Sequence, residues 1–412
     1  MILIHGKYYD LEHFNHPGGR TILELCKNEP DCTALFESYH AFCDMTKITN
    51  IMKNLQVGID TNNENMFLFK TDGFYNTCKK EIKEKLSLTR TNTKADINWL
   101  TTVFYSSLLF IFLQYLFFIF NNGLLKCICG FLSGITIMSF GYNVLHDSSH
   151  YSISYYPFIN NLISHICQPF ILSNHILWSY HHCIRHHQYT GSIEYDPDMR
   201  NSQPFFRKSK ALSVRKNEFT KRFIGIKLLF FNLLFPGTML GQSLSYHLVW
   251  ARKNKLWNMK LPDLYFNEWS IFEYLIAFLF CIFEIYYTGI YFIFHIIGTN
   301  VGFFIGSAPD HDMYCTHQEM QNTDYSKNDW GEIQVRHSAN FMKNNTFFTK
   351  FYGGINYQIE HHLFPTLNGH KLKMISPIVE KCCKQFDIPY NSIDSPIKVF
   401  QEIKHTYENV HL

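Results

Sequence analysis

Residues 124–150 read LLKCICGFLSGITIMSFGYNVLHDSSH. An apolar stretch of bilayer-crossing length runs directly into His146-Asp-Ser-Ser-His150, two histidines four residues apart. On a helix, positions i and i+4 share a face, so both imidazoles reach one ion. Two more clusters follow: His182-Cys-Ile-Arg-His186-His187 and Gln358-Ile-Glu-His361-His362. His182 and His186 are again four apart and are expected to share an ion. The doubled His186-His187 and His361-His362 let neighbouring rings point at different ions. Histidine is only intermediate in burial, so apolar packing does not ask for seven imidazoles and an amide oxygen. Metal does, and nitrogen donors without thiolate suit iron, zinc, copper or nickel.

The segments around these clusters read as membrane spans. Trp99 to Phe120 carries no charge, and its length matches the ~20 residues that cross a bilayer. Asn121-Asn122-Gly123 forms a turn into the second, less apolar span. No Lys or Arg occurs between Lys260 and Lys327, and Ile271 to about Gly306 holds two tight spans that break near Thr288-Gly289. About four transmembrane helices are therefore expected, near 99–120, 124–145, 271–288 and 290–307. Phe223 to Trp250 and Phe158 to Leu177 are apolar but interrupted, and read as interfacial or re-entrant. Basic residues crowd before Trp99, between Arg185 and Lys260, and after Lys327. By the positive-inside rule both termini and all three clusters face the cytosol. The stretch from Lys79 to Asp96 reads as an amphipathic helix lying on the membrane surface, with a charged linker as the alternative.

Composition narrows the function classes. The chain has 412 residues, is 17% aromatic and carries a net charge of +3, too little to argue for nucleic acid. Its 12 Cys show no paired zinc spacing and read as reduced thiols. The N-terminus lacks the long apolar core of a signal peptide.

Residues 1–60 look globular, 61–98 read as linker plus amphipathic segment, and 99–412 as the membrane part. His16-Pro-Gly-Gly19 is followed by His40, 24 residues later, and Thr21 to Cys26 suits one wall of an apolar pocket. Together with Gly6-Lys-Tyr-Tyr-Asp-Leu-Glu-His-Phe-Asn-His, these segments resemble the cytochrome b5 haem domain, a small α+β unit. The resemblance implies haem b with His16 and His40 as axial ligands. A bis-histidine haem has no open coordination position and suits electron transfer. The chain starts inside the family pattern, without its first strand and helix, which implies a shortened domain.

The histidine clusters, with Asp196-Pro-Asp198, Asp329-Trp-Gly-Glu-Ile-Gln-Val-Arg336 and Gly353-Gly-Ile-Asn-Tyr-Gln-Ile-Glu-His-His-Leu-Phe-Pro365, resemble the front-end membrane fatty acid desaturases with a fused cytochrome b5. The likeness covers roughly residues 4–370. It implies a mainly α integral membrane fold with a cytosolic cap that holds two Fe ions. The ligands carried over are His146, His150, His182, His186, His187, His361 and His362, with Gln358 as ligand or orienting group. His311, in Ser307-Ala-Pro-Asp-His311, sits where the family has a further histidine. Asp147, Asp196, Asp198 and Glu360 are expected either to orient ligands or to serve as ordinary caps and turns. Two positions depart from the family: Gly191 replaces the usual Asn, and His337 replaces a small or hydroxylic residue.

The resemblance further implies O2 as oxidant, a fatty acyl lipid or acyl-CoA substrate, and a cis double bond as product. Electrons come from NADH through a separate NADH-cytochrome b5 reductase, because the chain has no clear GxGxxG nucleotide loop. The endoplasmic reticulum membrane is the expected site. A sphingolipid long-chain-base desaturase and a hydroxylase share the same metal scaffold, and a non-catalytic haem- or metal-binding protein is the reading from another class.

Overall fold

The computed structural model describes residues 1–60, 66–199, 255–256, 259–260, 268–322 and 327–409. Residues 223–250, read above as interfacial, fall outside them, as does His247.

The chain is mainly helical, with a small α+β unit at its start. There β1 (Ile2–Ile4), β2 (Lys7–Tyr9) and β3 (Gln56–Ile59) form an antiparallel sheet in the order β1-β2-β3. Three short helices, Arg20–Cys26, Thr33–Tyr39 and Met45–Lys53, lie between β2 and β3. Asp44 caps the third by accepting the Thr46 and Lys47 N–H groups, which satisfies donors a helix start leaves orphaned.

Among the described residues, three helical stretches are long and apolar enough to cross a membrane: Ile97–Ile119, Gly123–Ser149 and Trp269–His311. The last has 43 residues, about twice what one crossing needs, and it breaks at Gly289–Tyr291. It folds back there. Gln114 near the end of the first span donates to Glu284 at 2.8 Å. Tyr291 packs on Gly123, and Lys126 reaches the Tyr287 carbonyl at 3.4 Å. Glu273 lies at the other end, hydrogen-bonded to His165. Among the described residues the long stretch thus forms two antiparallel arms beside the first two helices. The two turns lie at one end of the bundle, and all three histidine clusters lie at the other.

The spans Gly123–Phe140 and Phe292–His311 pack backbone to backbone. A Cβ on Gly134 would fall 2.0 Å from the His295 carbonyl, and one on Gly298 would fall 2.1 Å from that of Phe131. Small residues permit this approach where lipid offers no hydrophobic gain. Outward, Leu100, Phe104, Leu108, Ile111 and Phe112 on the first span, and Ile271, Leu275, Phe278 and Ile282 on the third, stay exposed. That belt fits a hydrocarbon environment rather than water.

The basic stretch after Lys79 is a correction to the sequence reading. The helix Phe74–Leu86 does not present its apolar face to lipid. Phe74, Tyr75, Cys78 and Ile82 are buried in a core shared with Trp330, Leu363, Ile375, Val379 and Cys382. The partner surface lies almost 300 residues downstream, where local periodicity carries no trace of it. Residues 66–86, expected as connector, are therefore part of the main core.

The N-terminal unit is docked on the rest of the chain. Ile176, Leu177, Tyr180 and Ile184 of the second cluster's segment join Ile2, Ile4, Tyr9, Leu25 and Leu35 in one apolar cluster. Arg185 pairs with Glu29 at 2.7 Å, both almost wholly buried. Glu37 pairs with Lys79 at 2.8 Å and with His5 at 3.0 Å.

Candidate metal centre and haem pocket

The second span changes character as it reaches the first histidine cluster. Its α-helical turns end at Phe140, and Gly141–His146 is a π-helical turn. The segment Ser179–His186 is π-helical as well. Such widened turns recur at functional sites. They also change which histidines align, since i→i+5 bonding brings residues five apart together. His182 Nε2 lies 3.3 Å from His187 Nε2.

The expected pairing of His182 with His186 is thus a correction. His146, His150, His182 and His361 offer nitrogens within 4.8 Å of one another, and His186, His311 and His362 form a second such group. His146 and His150 do share a group, as i and i+4 spacing suggests.

The nitrogen spacing is itself diagnostic. Two nitrogens bound at about 2.0–2.1 Å to one ion, at angles near 90–109°, lie roughly 2.9–3.4 Å apart. His186 Nε2 and His311 Nε2 are 3.1 Å apart, and His187 Nε2 is 3.1 Å from His361 Nε2. Only one proton can lie between two such ring nitrogens, whereas a shared cation satisfies both. Buried polar atoms normally have partners, yet among the described residues His146 Nε2, His362 Nε2, His187 Nδ1 and Gln358 Oε1 have none. The donor set fits a pair of nitrogen-bound metal ions. Gln358 Nε2 lies 3.0 Å from His311 Nε2, and turning the amide over puts Oε1 there with no change of shape.

In His150, His186, His311 and His362 the other ring nitrogen is held in place, which fixes the tautomer that leaves Nε2 for a metal. His186 Nδ1 meets Asp196 at 3.1 Å. His311 Nδ1 donates to the His337 carbonyl at 2.8 Å. His362 Nδ1 meets Gln334 Oε1 at 2.9 Å and Thr190 Oγ1 at 3.1 Å. His150 Nδ1 meets the Tyr39 hydroxyl of the N-terminal unit at 2.8 Å. Burial, reinforced by neighbouring imidazoles, holds His182, His187, His361 and His362 well below the usual histidine range. They are neutral at pH 7, the form that binds a metal.

The carboxylates divide. Asp196 orients His186 and also accepts the Gly191 N–H at 2.7 Å. Asp198 takes His181 at 2.6 Å, turning that ring away from the cluster. Asp147 accepts from Asn368 at 2.8 Å and lies 3.8 Å from His146. Glu360 instead accepts from Tyr390 at 2.6 Å and Asn340 at 2.9 Å, so it anchors the third cluster's helix rather than orienting a ligand. Histidines outside the motifs have other roles. His165 and His175 sit in a buried network with Glu273, His295 meets Ser133, and His370 meets Asn143.

The two departures from the family pattern are neighbours. Gly191 has φ +78°, and a Cβ there would fall 2.8 Å from His337 Nδ1. His337 Nδ1 donates to the Thr190 carbonyl at 2.6 Å. The ring at 337, together with the Met320 side chain at 2.9 Å, occupies space that a side chain at 191 would need. Gln334 and Tyr39 were missed as supports. Gln334 lies in a quoted motif, and Tyr39 precedes His40, but nothing local tells what either touches.

In the N-terminal unit a cavity of about 770 Å³ is lined by His16, His40, Ile22, Leu23, Leu35 and Phe36 among others. The two imidazole centroids are 6.0 Å apart, which is about two metal–nitrogen bonds plus two ring radii. His40 Nδ1 donates to the Phe36 carbonyl at 2.8 Å, leaving Nε2 to face the cavity. His16 Nδ1 lies 3.0 Å from the Gly18 N–H. Burial, helped by His40 and Arg90, holds His16 down to about 4. An apolar slot between two neutral imidazoles fits haem.

Comparison with known proteins agrees with this geometry. Residues 122–394 match the family Fatty acid desaturase, and residues 1–60 match the Cytochrome b5-like Heme/Steroid binding domain. The chain is 25% identical to the acyl-lipid (8-3)-desaturase B of Dictyostelium discoideum over 95% of its own length and 86% of the relative's. It is 24% identical to the Delta(5) fatty acid desaturase A of that organism, with the same two coverages of 95% and 86%. Against the acyl-lipid (8-3)-desaturase of Mortierella alpina, identity is 24% over 95% of the chain and 89% of the relative. The chain belongs to the fatty acid desaturase family, in its front-end branch with a fused cytochrome b5-like module.

Proposed function

We propose that this protein inserts a cis double bond into an already unsaturated fatty acyl chain, between an existing double bond and the carboxyl end. The single observation that carries the reading is the double nitrogen cluster with metal-sharing spacing, packed against a docked haem-type module. One ion is assigned to His146, His150, His182, His187 and His361, and the other to His186, His311, His362 and Gln358. His16 and His40 are assigned as haem ligands.

Two iron ions with O2 supply an oxidant strong enough for an unactivated methylene, which no side-chain base can deprotonate. The balance is a CH2–CH2 pair, O2, two electrons and two protons giving CH=CH and two waters. The electrons come from NADH through a separate cytochrome b5 reductase. The chain's own residues keep the imidazoles neutral and aimed, through Asp196, Gln334, Tyr39 and the His337 carbonyl. The docked module needs no search to meet the cluster, since Tyr39, next to His40, already touches His150. The membrane is assigned as endoplasmic reticulum, with termini and clusters cytosolic. Domain limits of 1–60 for the haem module and 99–412 for the desaturase part belong to the same proposal, with Phe74–Leu86 of the intervening 61–98 packed on the latter.

Similar relatives are named Delta(5) or (8-3) desaturases, so Δ5 chemistry is the first to test. The protein is expressed in a host fed defined polyunsaturated acids, and the new double bond is located by mass spectrometry. A Δ5 product that requires iron supports the proposal. A hydroxylated product, a desaturated sphingoid base, or no product from an iron- and haem-loaded protein refutes it.

A further inference from the structure

The cavity between His16 and His40 is not closed by the N-terminal module alone. Its far wall comes from Leu88, Thr89, Arg90, Thr91, Thr93 and Lys94, with Tyr151, Ser154, Tyr155 and Pro157 beyond them. All of these lie outside residues 1–60, the part that matches the cytochrome b5-like domain.

The charges lining the cavity are lopsided. Lys47, Lys83, Arg90 and Lys94 face one carboxylate, Asp44, which already accepts the Thr46 and Lys47 N–H groups as a helix cap. Two of the cations are partly engaged. Lys94 donates to the Tyr151 and Thr366 carbonyls at 2.8 and 3.2 Å, and Lys83 reaches the Cys43 carbonyl at 3.5 Å. Lys47 is exposed. Arg90 is half-buried, with its guanidinium 4.5 Å from the centre of the Tyr155 ring, and among the described residues it forms no ion pair. The ring beneath it holds the guanidinium plane, leaving its five donors for an acceptor.

A planar fork of donors in the wall of a cavity suits a carboxylate, bound bidentately. Haem b carries two. We propose that Arg90 binds a haem carboxylate from outside the cytochrome module, so that the cofactor is held jointly by both parts of the chain. This rests on the haem reading above, and the test separates the two.

Full-length wild type, Arg90→Gln and Arg90→Lys are each loaded with haem b and with its dimethyl ester, in which both carboxylates are capped. Haem loss to excess apomyoglobin is followed by the Soret band, alongside the midpoint potential. Loss from Arg90→Gln is expected to be about 10-fold faster than from wild type, the scale of one charge-assisted hydrogen bond. The ester is expected to speed loss from wild type and to add little in Arg90→Gln, because the same interaction is already gone. Arg90→Lys keeps the charge and is expected to fall between. The potential drops in Arg90→Gln, since a cation beside the haem favours its reduced state. Equal loss rates for the three proteins, or an ester effect undiminished in Arg90→Gln, overturn the assignment while leaving haem binding intact. A wild type without a bis-histidine haem spectrum overturns the haem reading, and this inference with it.

Discussion

At the scale of single residues, the histidines were legible and their partnerships were not. Metal-ligand chemistry singles out seven histidines and Gln358, the family resemblance adds His311, and the structure brings all of them together. Their division between two ions depends on helical register. The i,i+4 rule assumes 3.6 residues per turn, and at Ser179–His186 the turn is wider. If the division drawn above is right, His182→Ala and His186→Ala remove different ions. Each protein is expected to keep about one iron per chain, and combining His186→Ala with His311→Ala is expected to cost no second ion. Metal analysis of the purified variants checks this; loss of both ions from the pair of substitutions contradicts the grouping. Gly191 and His337 show the same lesson in steric form. Separately they look like unrelated departures, yet one makes room for the other. Gly191→Asn alone is expected to destabilise by about 1–3 kcal/mol through overpacking. Adding His337→Ser is expected to recover much of that, since Asn tolerates a positive φ. Thermal unfolding of the four proteins measures the coupling, and strictly additive shifts rule it out.

At the scale of elements, spans announce themselves and docking surfaces do not. Apolar length is a local property, so the long apolar helices Ile97–Ile119, Gly123–Ser149 and Trp269–His311 could be read directly. The helix Phe74–Leu86 looked like a membrane-surface element because its partners, Ile375, Val379 and Cys382, are remote in sequence. Thr33–Tyr39 is similar: the spacing of His16 and His40 identifies its module but not what the helix touches. Its Glu37 makes a testable contact. Burial pushes that carboxyl up, but the His5 hydrogen bond and the Lys79 ammonium outweigh it and hold it down to about 2. A depressed carboxyl contributes stability above its unfolded value, and that contribution is lost as pH falls through the folded one. Docking of this helix is thus expected to weaken between about pH 4.5 and 2. Hydrogen exchange of the Thr33–Tyr39 amides should show the loss in wild type and much less of it in Glu37→Gln; matching pH profiles would argue against the contact's role.

At the scale of the whole molecule, the bundle has two unlike ends. One carries the short turns, the other the clusters, the docked module and the C-terminal helices. If the clusters are cytosolic, Leu124 and Ile290, 70% and 83% exposed, face the lumen, and Met374 faces the cytosol. In sealed microsomes an impermeant maleimide is expected to label Met374→Cys and to spare Leu124→Cys and Ile290→Cys until detergent is added. The reverse pattern inverts the topology.

The Arg185–Glu29 contact carries a consequence for how such a chain can be rebuilt. Removing one partner strands a charge away from water, at a cost near 3–5 kcal/mol. A grafted cytochrome that lacks an acid at the position of Glu29 would meet an uncompensated guanidinium where it must seat. Electron donor and oxidase are thereby inherited as a keyed pair. A foreign module is expected to work here only when it brings its own glutamate, or when the arginine is traded for a neutral residue of similar bulk.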